Sequence, residues 1–282
     1  MSMKVLSLFD GISCGMVALQ RAGISVERYC AFEIDPKAIQ ISKRNHPTIE
    51  HYGDVTGADF SQFNSFDILI GGSPCQGFSF LGKQLNFDDE RSGLIKEYLR
   101  ALDTIKPKYF LLENVKMKQE YRDAISGVMG VEPIEINSAL ISAQNRVRLY
   151  WTNIPGVEVP TPKEITLQDV LESGYADRAK SLCIREGESR PETDTARLYR
   201  RYKNKSLRQV VFFSKGLEPE RGVRILTQIE LERLQTLPPG YTQPLKRNEA
   251  AGLIGNAWTV DVIAHILGHM AKTQKQTLTK SQ

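Results

Sequence analysis

Lys4-Val5-Leu6-Ser7-Leu8-Phe9-Asp10-Gly11-Ile12-Ser13-Cys14-Gly15 starts as an apolar run and breaks into a glycine-bearing turn, after which Met16–Ala22 continues at helical spacing. A strand over Val5–Phe9, a turn over Gly11–Gly15 and a helix make the first half of a βαβ unit. Working outward, Tyr29–Ile34 predicts a second strand, and Asp35-Pro36 supplies an N-cap and a first-turn proline for a helix to about Arg44. Phe66–Ile70 and Tyr109–Leu112 are continuous apolar runs, as expected of strands covered on both faces. Between them Leu94, Ile95, Tyr98, Leu99, Leu102 and Ile105 recur at helical spacing. From Lys4 to Asn153 this alternation predicts an α/β fold with a doubly wound parallel sheet.

The rest of the chain bounds the function more loosely. Its 282 residues allow one large domain and a small appendage. Hydrophobic residues at 41% and charged residues at 25%, with 21 Gly and 13 Pro, exclude collagen-like, coiled-coil and disordered classes. The net charge of +4 leans only weakly toward polyanions. No apolar run reaches membrane-span length and Met1–Asp10 lacks a signal-peptide pattern, so a cytoplasmic protein with no membrane partner is expected. Cys14, Cys30, Cys75 and Cys183 form no C-x-x-C pair and have no nearby His, so no metal is expected. After Pro155 the βα rhythm fails. A basic stretch follows with Arg185, Arg190, Arg197, Arg200, Arg201, Lys203, Lys205 and Arg208, interleaved with Tyr199 and Tyr202. Taken alone, such a run is a solvated face.

Strand ends carry the chemistry. The Phe9–Gly15 turn is not the G-x-G-x-x-G fingerprint, which disfavours hydride transfer. Glu33 ends the second strand about twenty residues on, where an acid accepts from a ribose diol. Asp54, in Gly53-Asp54-Val55, suits an adenine amino group, and the three loop ends together point to an adenosine-type ligand. The fourth strand runs into Gly71-Gly72-Ser73-Pro74-Cys75-Gln76-Gly77-Phe78-Ser79, which presents a cysteine at the sheet edge. A basic neighbour or a helix facing it lowers a thiol pKa of about 8.5 and favours a reactive thiolate; the alternative is a buried loop cysteine. Glu113-Asn114-Val115 places a carboxyl on a neighbouring strand end.

Together with Pro74-Cys75-Gln76 and Glu113-Asn114-Val115, three further blocks occur in order: Gln144-Asn145-Arg146-Val147-Arg148, Arg224-x-Leu226-Thr227-x-x-Glu230-x-x-Arg233-Leu234-Gln235 and Gly255-Asn256-Ala257-Trp258. The chain resembles the DNA (cytosine-5)-methyltransferases of stand-alone prokaryotic or phage type, and Leu8-Phe9-Asp10-Gly11 is also similar to the animal de novo enzymes. The resemblance implies a Rossmann-like S-adenosylmethionine-dependent methyltransferase sheet with a small inserted target-recognition region. It implies Cys75 as the nucleophile at cytosine C6, Glu113 on the N3 and amino edge, Arg148 on the base carbonyl, and Arg146 on the reacting group or a nearby phosphate. S-adenosyl-L-methionine is the implied cofactor and S-adenosyl-L-homocysteine its product. Phe9 is expected against the adenine, Asp10, Gly11, Ile12 and Ser13 along the methionine end, Glu33 at the ribose hydroxyls, Asp54 at the adenine amino group, and Pro74 near the sulfonium, with Ile34 and Val55 also among the cofactor-binding residues. Asn256, Ala257 and Trp258 are expected to complete the pocket.

The implied partner is double-stranded DNA, with a separate restriction endonuclease or none, and the target base must leave the stack. Gln76, Ser79 and Arg233 are expected to touch DNA, and the Gly77–Gly93 stretch to close over it. In this light the basic middle stretch turns from a solvated face into a DNA-contacting one. The expected division is a catalytic and cofactor-binding domain at 1–155, a target-recognition region at 156–223, a catalytic return at 224–272 and a disordered tail at 273–282. Asp10 stands where many members have a small residue, and Gln228 where an arginine is frequent. A tRNA cytosine methyltransferase and an inactive DNA-binding accessory protein are the alternatives; the tRNA-directed branch's Cys-Phe-Thr tripeptide is missing.

Overall fold

The expected apolar runs become neighbouring strands. In the computed structural model, which describes residues 2–73, 93–189, 194–205, 207 and 209–279, the chain begins β1 (Ser2–Leu8), α1 (Cys14–Arg21), β2 (Ser25–Phe32), α2 (Pro36–Asn45), β3 (Glu50–Gly53) and β4 (Ile68–Gly72). It continues α3 (Gly93–Ile105), β5 (Tyr109–Val115), α4 (Gln119–Met129), β6 (Ile134–Asn137), β7 (Gln144–Asn145) and β8 (Val147–Thr152). Seven strands form one sheet in the order β3-β2-β1-β4-β5-β8-β6, with β1 to β5 parallel and β8 antiparallel to β5. The order turns back between β1 and β4, and a doubly wound sheet binds its ligand beyond the carboxyl ends of the strands at such a switch point.

Residues 1–136, 147–159 and 264–282 make one compact unit. Its core packs Leu6, Leu8, Phe32, Leu69, Leu112 and Trp151 from the sheet against Tyr98, Ala101 and Ile105 of α3. Asp35 caps α2 as expected, accepting from Lys37 N at 2.8 Å. Gly71 is obligatory where α3 crosses β4: a Cβ there would lie 2.9 Å from the Tyr98 ring and 3.1 Å from Leu8 O.

Residues 137–146 and 160–263 make the second unit. It holds α5 (Leu167–Val170), β9 (Ser181–Leu182), α6 (Thr195–Lys203), β10 (Val211–Phe212), β11 (Val223–Arg224), α7 (Gln228–Leu234) and α8 (Arg247–Asn256). Leu226, Leu231, Leu234, Ala250, Ala251 and Ile254 pack here with Leu167, Val170, Ile184 and Val211, so residues 224–263 cluster with the middle of the chain. Glu230 is fully buried and takes a bidentate pair from Arg224 at 2.7 and 2.8 Å, while Thr227 and Glu230 form a capping box that starts α7. Gly255 lets α8 touch the main chain of Arg185 and Glu186, since a Cβ would lie 2.4 Å from Arg185 C. The last helix, α9, runs Val260–Thr279, through most of the segment whose polar composition suggests a disordered tail. Among the described residues no single helix is long and apolar enough to cross a membrane.

Candidate active site

The turn after β1 is held in an unusual backbone shape. Phe9, Gly11 and Ser13 all have positive φ, at 57°, 59° and 60°. For the two non-glycine residues this conformation costs about 1–2 kcal/mol each, so side chains must hold it. Glu33 does so from the end of β2. Its Oε2 accepts from Gly11 N at 2.7 Å, and its Oε1 accepts from Ile34 N and Asp35 N, both at 2.8 Å. A carboxylate offers about four lone-pair sites, so three amides leave one for a ligand hydroxyl.

Asp10 holds the turn from beneath. Its carboxylate accepts from Tyr29 Oη at 2.6 Å and Ser13 Oγ at 2.5 Å, and burial pushes its pKa above the ordinary carboxylate value against the lowering effect of those hydrogen bonds. Ile12 and Ser13 are buried, and Phe9 packs partly buried on the core. Beside this turn Ile34 is an apolar side chain 71% exposed to solvent. Asp54 follows β3; its carboxylate accepts from Thr56 N at 2.8 Å, which lowers its pKa, and it is exposed, while Val55 is buried.

A second group gathers where β4 and β5 end. Gly72 pairs with Glu113, and Val115 with Arg148 of the antiparallel β8. The reversal of β8 brings Arg148 back to the carboxyl end of β5, where its Nε meets Glu113 Oε1 at 2.8 Å with side chains 15% and 11% exposed. Asn114 Nδ2 donates to Ser73 Oγ at 2.9 Å, tying the end of β5 to the end of β4. Pro74, Cys75, Gln76 and Ser79, and the rest of the expected closing stretch through residue 92, lie outside the described residues; Cys75 is two residues beyond Ser73 in sequence.

The remaining expected site residues belong to the second unit. Arg146 is 5% exposed, and Nη1 donates to Ile184 O and Gly255 O, both at 3.2 Å, while Nη2 donates to Ala257 O at 3.0 Å. Ala257 O also accepts from Gln235 Nε2 at 2.9 Å; Asn256 is exposed and Trp258 partly buried. Arg233 Nη1 donates to Val170 O at 3.0 Å. Sequence reasoning did not assign Gln144 and Gln235, which join each other at 3.2 Å, although both stand in the quoted blocks. It also passed over Tyr29, Ser42, His51 and Ser73, whose links join distant parts of the chain and leave no local pattern.

A sheet of this order, parallel from β1 to β5 with β8 reversed, is the Rossmann-like sheet of the S-adenosylmethionine-dependent methyltransferases. The sequence matches the C-5 cytosine-specific DNA methylases over residues 3–124 and 142–272, and the chain belongs to that family. The type II methyltransferase M.NgoBV of Neisseria gonorrhoeae is 34% identical over 197 residues, 61% of this chain and 47% of the relative. The chain thus spans about half the length of this curated relative. The type II methyltransferase M1.ScrFI of Lactococcus lactis subsp. cremoris is 28% identical over 316 aligned positions, 97% of this chain and 79% of the relative. Among solved structures, the Entamoeba histolytica methyltransferase EhMeth superposes with a TM-score of 0.74 at 16% identity, over 97% of this chain and 99% of that one, a likeness of fold.

Proposed function

We propose that this chain is a DNA (cytosine-5-)-methyltransferase that moves a methyl group from S-adenosyl-L-methionine to C5 of a cytosine flipped out of duplex DNA, through a covalent bond between Cys75 and C6. The observation that carries this reading is the Glu113–Arg148 pair at the carboxyl edge of the sheet, beside Ser73 and two residues from Cys75 in sequence, in a chain of the cytosine-5 family.

The β1 turn fits the cofactor. Glu33 keeps an acceptor site for a ribose hydroxyl, exposed Ile34 offers an apolar surface to a purine, and Asp54 presents a fixed carboxylate. When bound, S-adenosyl-L-methionine supplies an electrophilic methyl on a sulfonium. Cytosine C5 is too weak a nucleophile for that methyl until a thiolate adds at C6, and Cys75 supplies the thiolate. Glu113 holds the N3 and amino edge as charge develops there, and Arg148, fixed by Glu113, reaches the base carbonyl. After transfer, a base removes the C5 proton and Cys75 leaves by elimination. Arg146 acts as a positioning residue through the carbonyls of Ile184, Gly255 and Ala257. Asn256, Ala257 and Trp258 are assigned to the cofactor, Pro74 to the neighbourhood of the sulfonium, and Gln76, Ser79 and Arg233 to DNA.

The substrate is double-stranded DNA in a bacterial or phage-infected cytoplasm, with a separate endonuclease or none, and the family match favours DNA over tRNA and over an inactive accessory role. The test is transfer of labelled methyl to duplex DNA and to tRNA by the wild type and by Cys75→Ala. Labelling of DNA by the wild type alone is expected. Equal labelling by both proteins overturns the role of Cys75, and labelling of tRNA but not DNA overturns the substrate.

A further inference from the structure

Beneath the β1 turn runs a chain of polar side chains that the methyl-transfer chemistry does not use. Tyr29 on β2 donates to Asp10 Oδ1 at 2.6 Å, and Ser13 donates to Asp10 Oδ2 at 2.5 Å. Ser13 Oγ lies 2.6 Å from Ser42 Oγ on α2, and Ser42 Oγ lies 3.1 Å from His51 Nε2 on β3. Tyr29, Ser13 and Ser42 are 1%, 0% and 0% exposed, so water does not substitute for the links among Tyr29, Asp10, Ser13 and Ser42, while His51 is half-buried.

Ser13 sits at the centre of the row. Its hydroxyl lies within donating reach of both Asp10 Oδ2 and Ser42 Oγ, and Ser42 in turn meets His51 Nε2, whose role as donor or acceptor follows its tautomer. Asp10 collects the hydroxyls of Tyr29 and Ser13. Ser13 is also the first residue before α1, the position where a serine side chain ordinarily caps the helix; its side chain makes no cap bond and its φ is 60°. The hydroxyl that a helix start would claim is taken up by Asp10 and Ser42.

We propose that Tyr29, Ser42 and His51 are positioning residues for the cofactor: through Asp10 and Ser13 they hold the left-handed Phe9–Ser13 turn in its ligand-ready shape, and they set cofactor affinity without touching the reacting atoms. This rests on the reading of the β1 turn as the S-adenosyl-L-methionine site. It explains why an acid stands at position 10, where family resemblance leads one to expect a small residue: a small side chain has nothing to collect these donors.

The test uses the full chain and S-adenosyl-L-homocysteine as probe, with calorimetric Kd measured beside kcat at saturating cofactor. Ser42→Ala removes the hydroxyl that Ser13 meets and is expected to weaken binding about tenfold, the change that one lost buried hydrogen bond gives. Its kcat is expected to stay within about twofold of wild type. Ser42→Thr keeps the hydroxyl and is expected to restore the wild-type Kd. His51→Gln keeps a hydrogen-bonding group and is expected to bind more tightly than His51→Phe, a comparison that stands if Ser42→Ala fails to fold. Wild-type Kd in Ser42→Ala, or equal Kd in the two His51 variants, overturns the proposal, as does a fall in kcat with Kd unchanged. If the wild type itself fails to bind the probe, it is the cofactor reading of the turn that falls.

Discussion

Glu113 and Arg148 meet across two antiparallel strands at 2.8 Å, both nearly buried. In the proposed reaction a carboxylate fixed in this way holds the cytosine edge without reorganising as charge develops, and most of its effect would arise there. Glu113→Gln keeps the shape and removes the charge; kcat is expected to fall by about 10²- to 10³-fold with duplex affinity nearly unchanged, as read by single-turnover kinetics beside a binding assay. Asp10 shows the opposite economy, in which a buried acid costs stability and serves a site. Its folded pKa is raised by burial, so its contribution to stability is full below the unfolded carboxylate pKa and is lost as pH rises through the raised value. The melting temperature of Asp10→Asn minus that of the wild type is therefore expected to grow more positive as pH rises from about 4 toward neutrality. A difference that stays flat with pH contradicts the assignment of a buried, raised Asp10.

At the scale of elements, the Arg224–Glu230 pair fixes the start of α7. Glu230→Ala leaves Arg224 without its bidentate partner and is expected to cost about 3–5 kcal/mol, seen as a fall in melting temperature. Helix α6 has two faces. Leu198 and Tyr202 pack on Leu207, Val210, Phe212 and Val223, and Tyr202 bonds Asp177 and Arg178. Arg197, Arg200 and Lys203 are exposed at intervals of one turn. If this face meets DNA phosphates, each alanine substitution among the three lowers the slope of log K against log salt by about 0.9. Slopes equal to wild type assign it to solvent. In the first unit β4 and β5 were legible because they are continuous apolar runs, and α2 because Asp35-Pro36 punctuates it, whereas β2 starts at Ser25, ahead of the expected Tyr29–Ile34 run, because its first half carries Glu27 and Arg28 and is only partly buried. The paired strands β7–β9 and β10–β11 have two residues each, too few to carry a period, and were not legible. The five blocks named Cys75, Glu113, Arg146, Arg148 and Asn256–Trp258, and the strand ends named Glu33 and Asp54, yet the hydroxyl row under Asp10 and the carbonyls around Arg146 arise only when distant segments meet.

At the scale of the molecule, the candidate residues fall in two units. The sheet unit carries Glu33, Asp54, Glu113 and Arg148, and the second unit carries Arg146, Arg233, the basic helix and Asn256–Trp258. The expected recognition segment, 156–223, is short, which predicts a short target sequence. Bisulfite sequencing of DNA from a methylation-free host expressing the chain is expected to show cytosines protected in one brief context. Scattered protection without a context contradicts sequence-specific reading by this segment.

A covalent Cys75–C6 intermediate on DNA is trapped by duplex DNA containing 5-fluorocytosine, because fluorine at C5 cannot leave as a proton and elimination stalls. With S-adenosyl-L-methionine present, the wild type is expected to form a protein–DNA adduct that survives denaturation, and Cys75→Ala is expected to form none. Wild-type protein that binds this duplex and transfers methyl to ordinary DNA, yet leaves no adduct, contradicts the account.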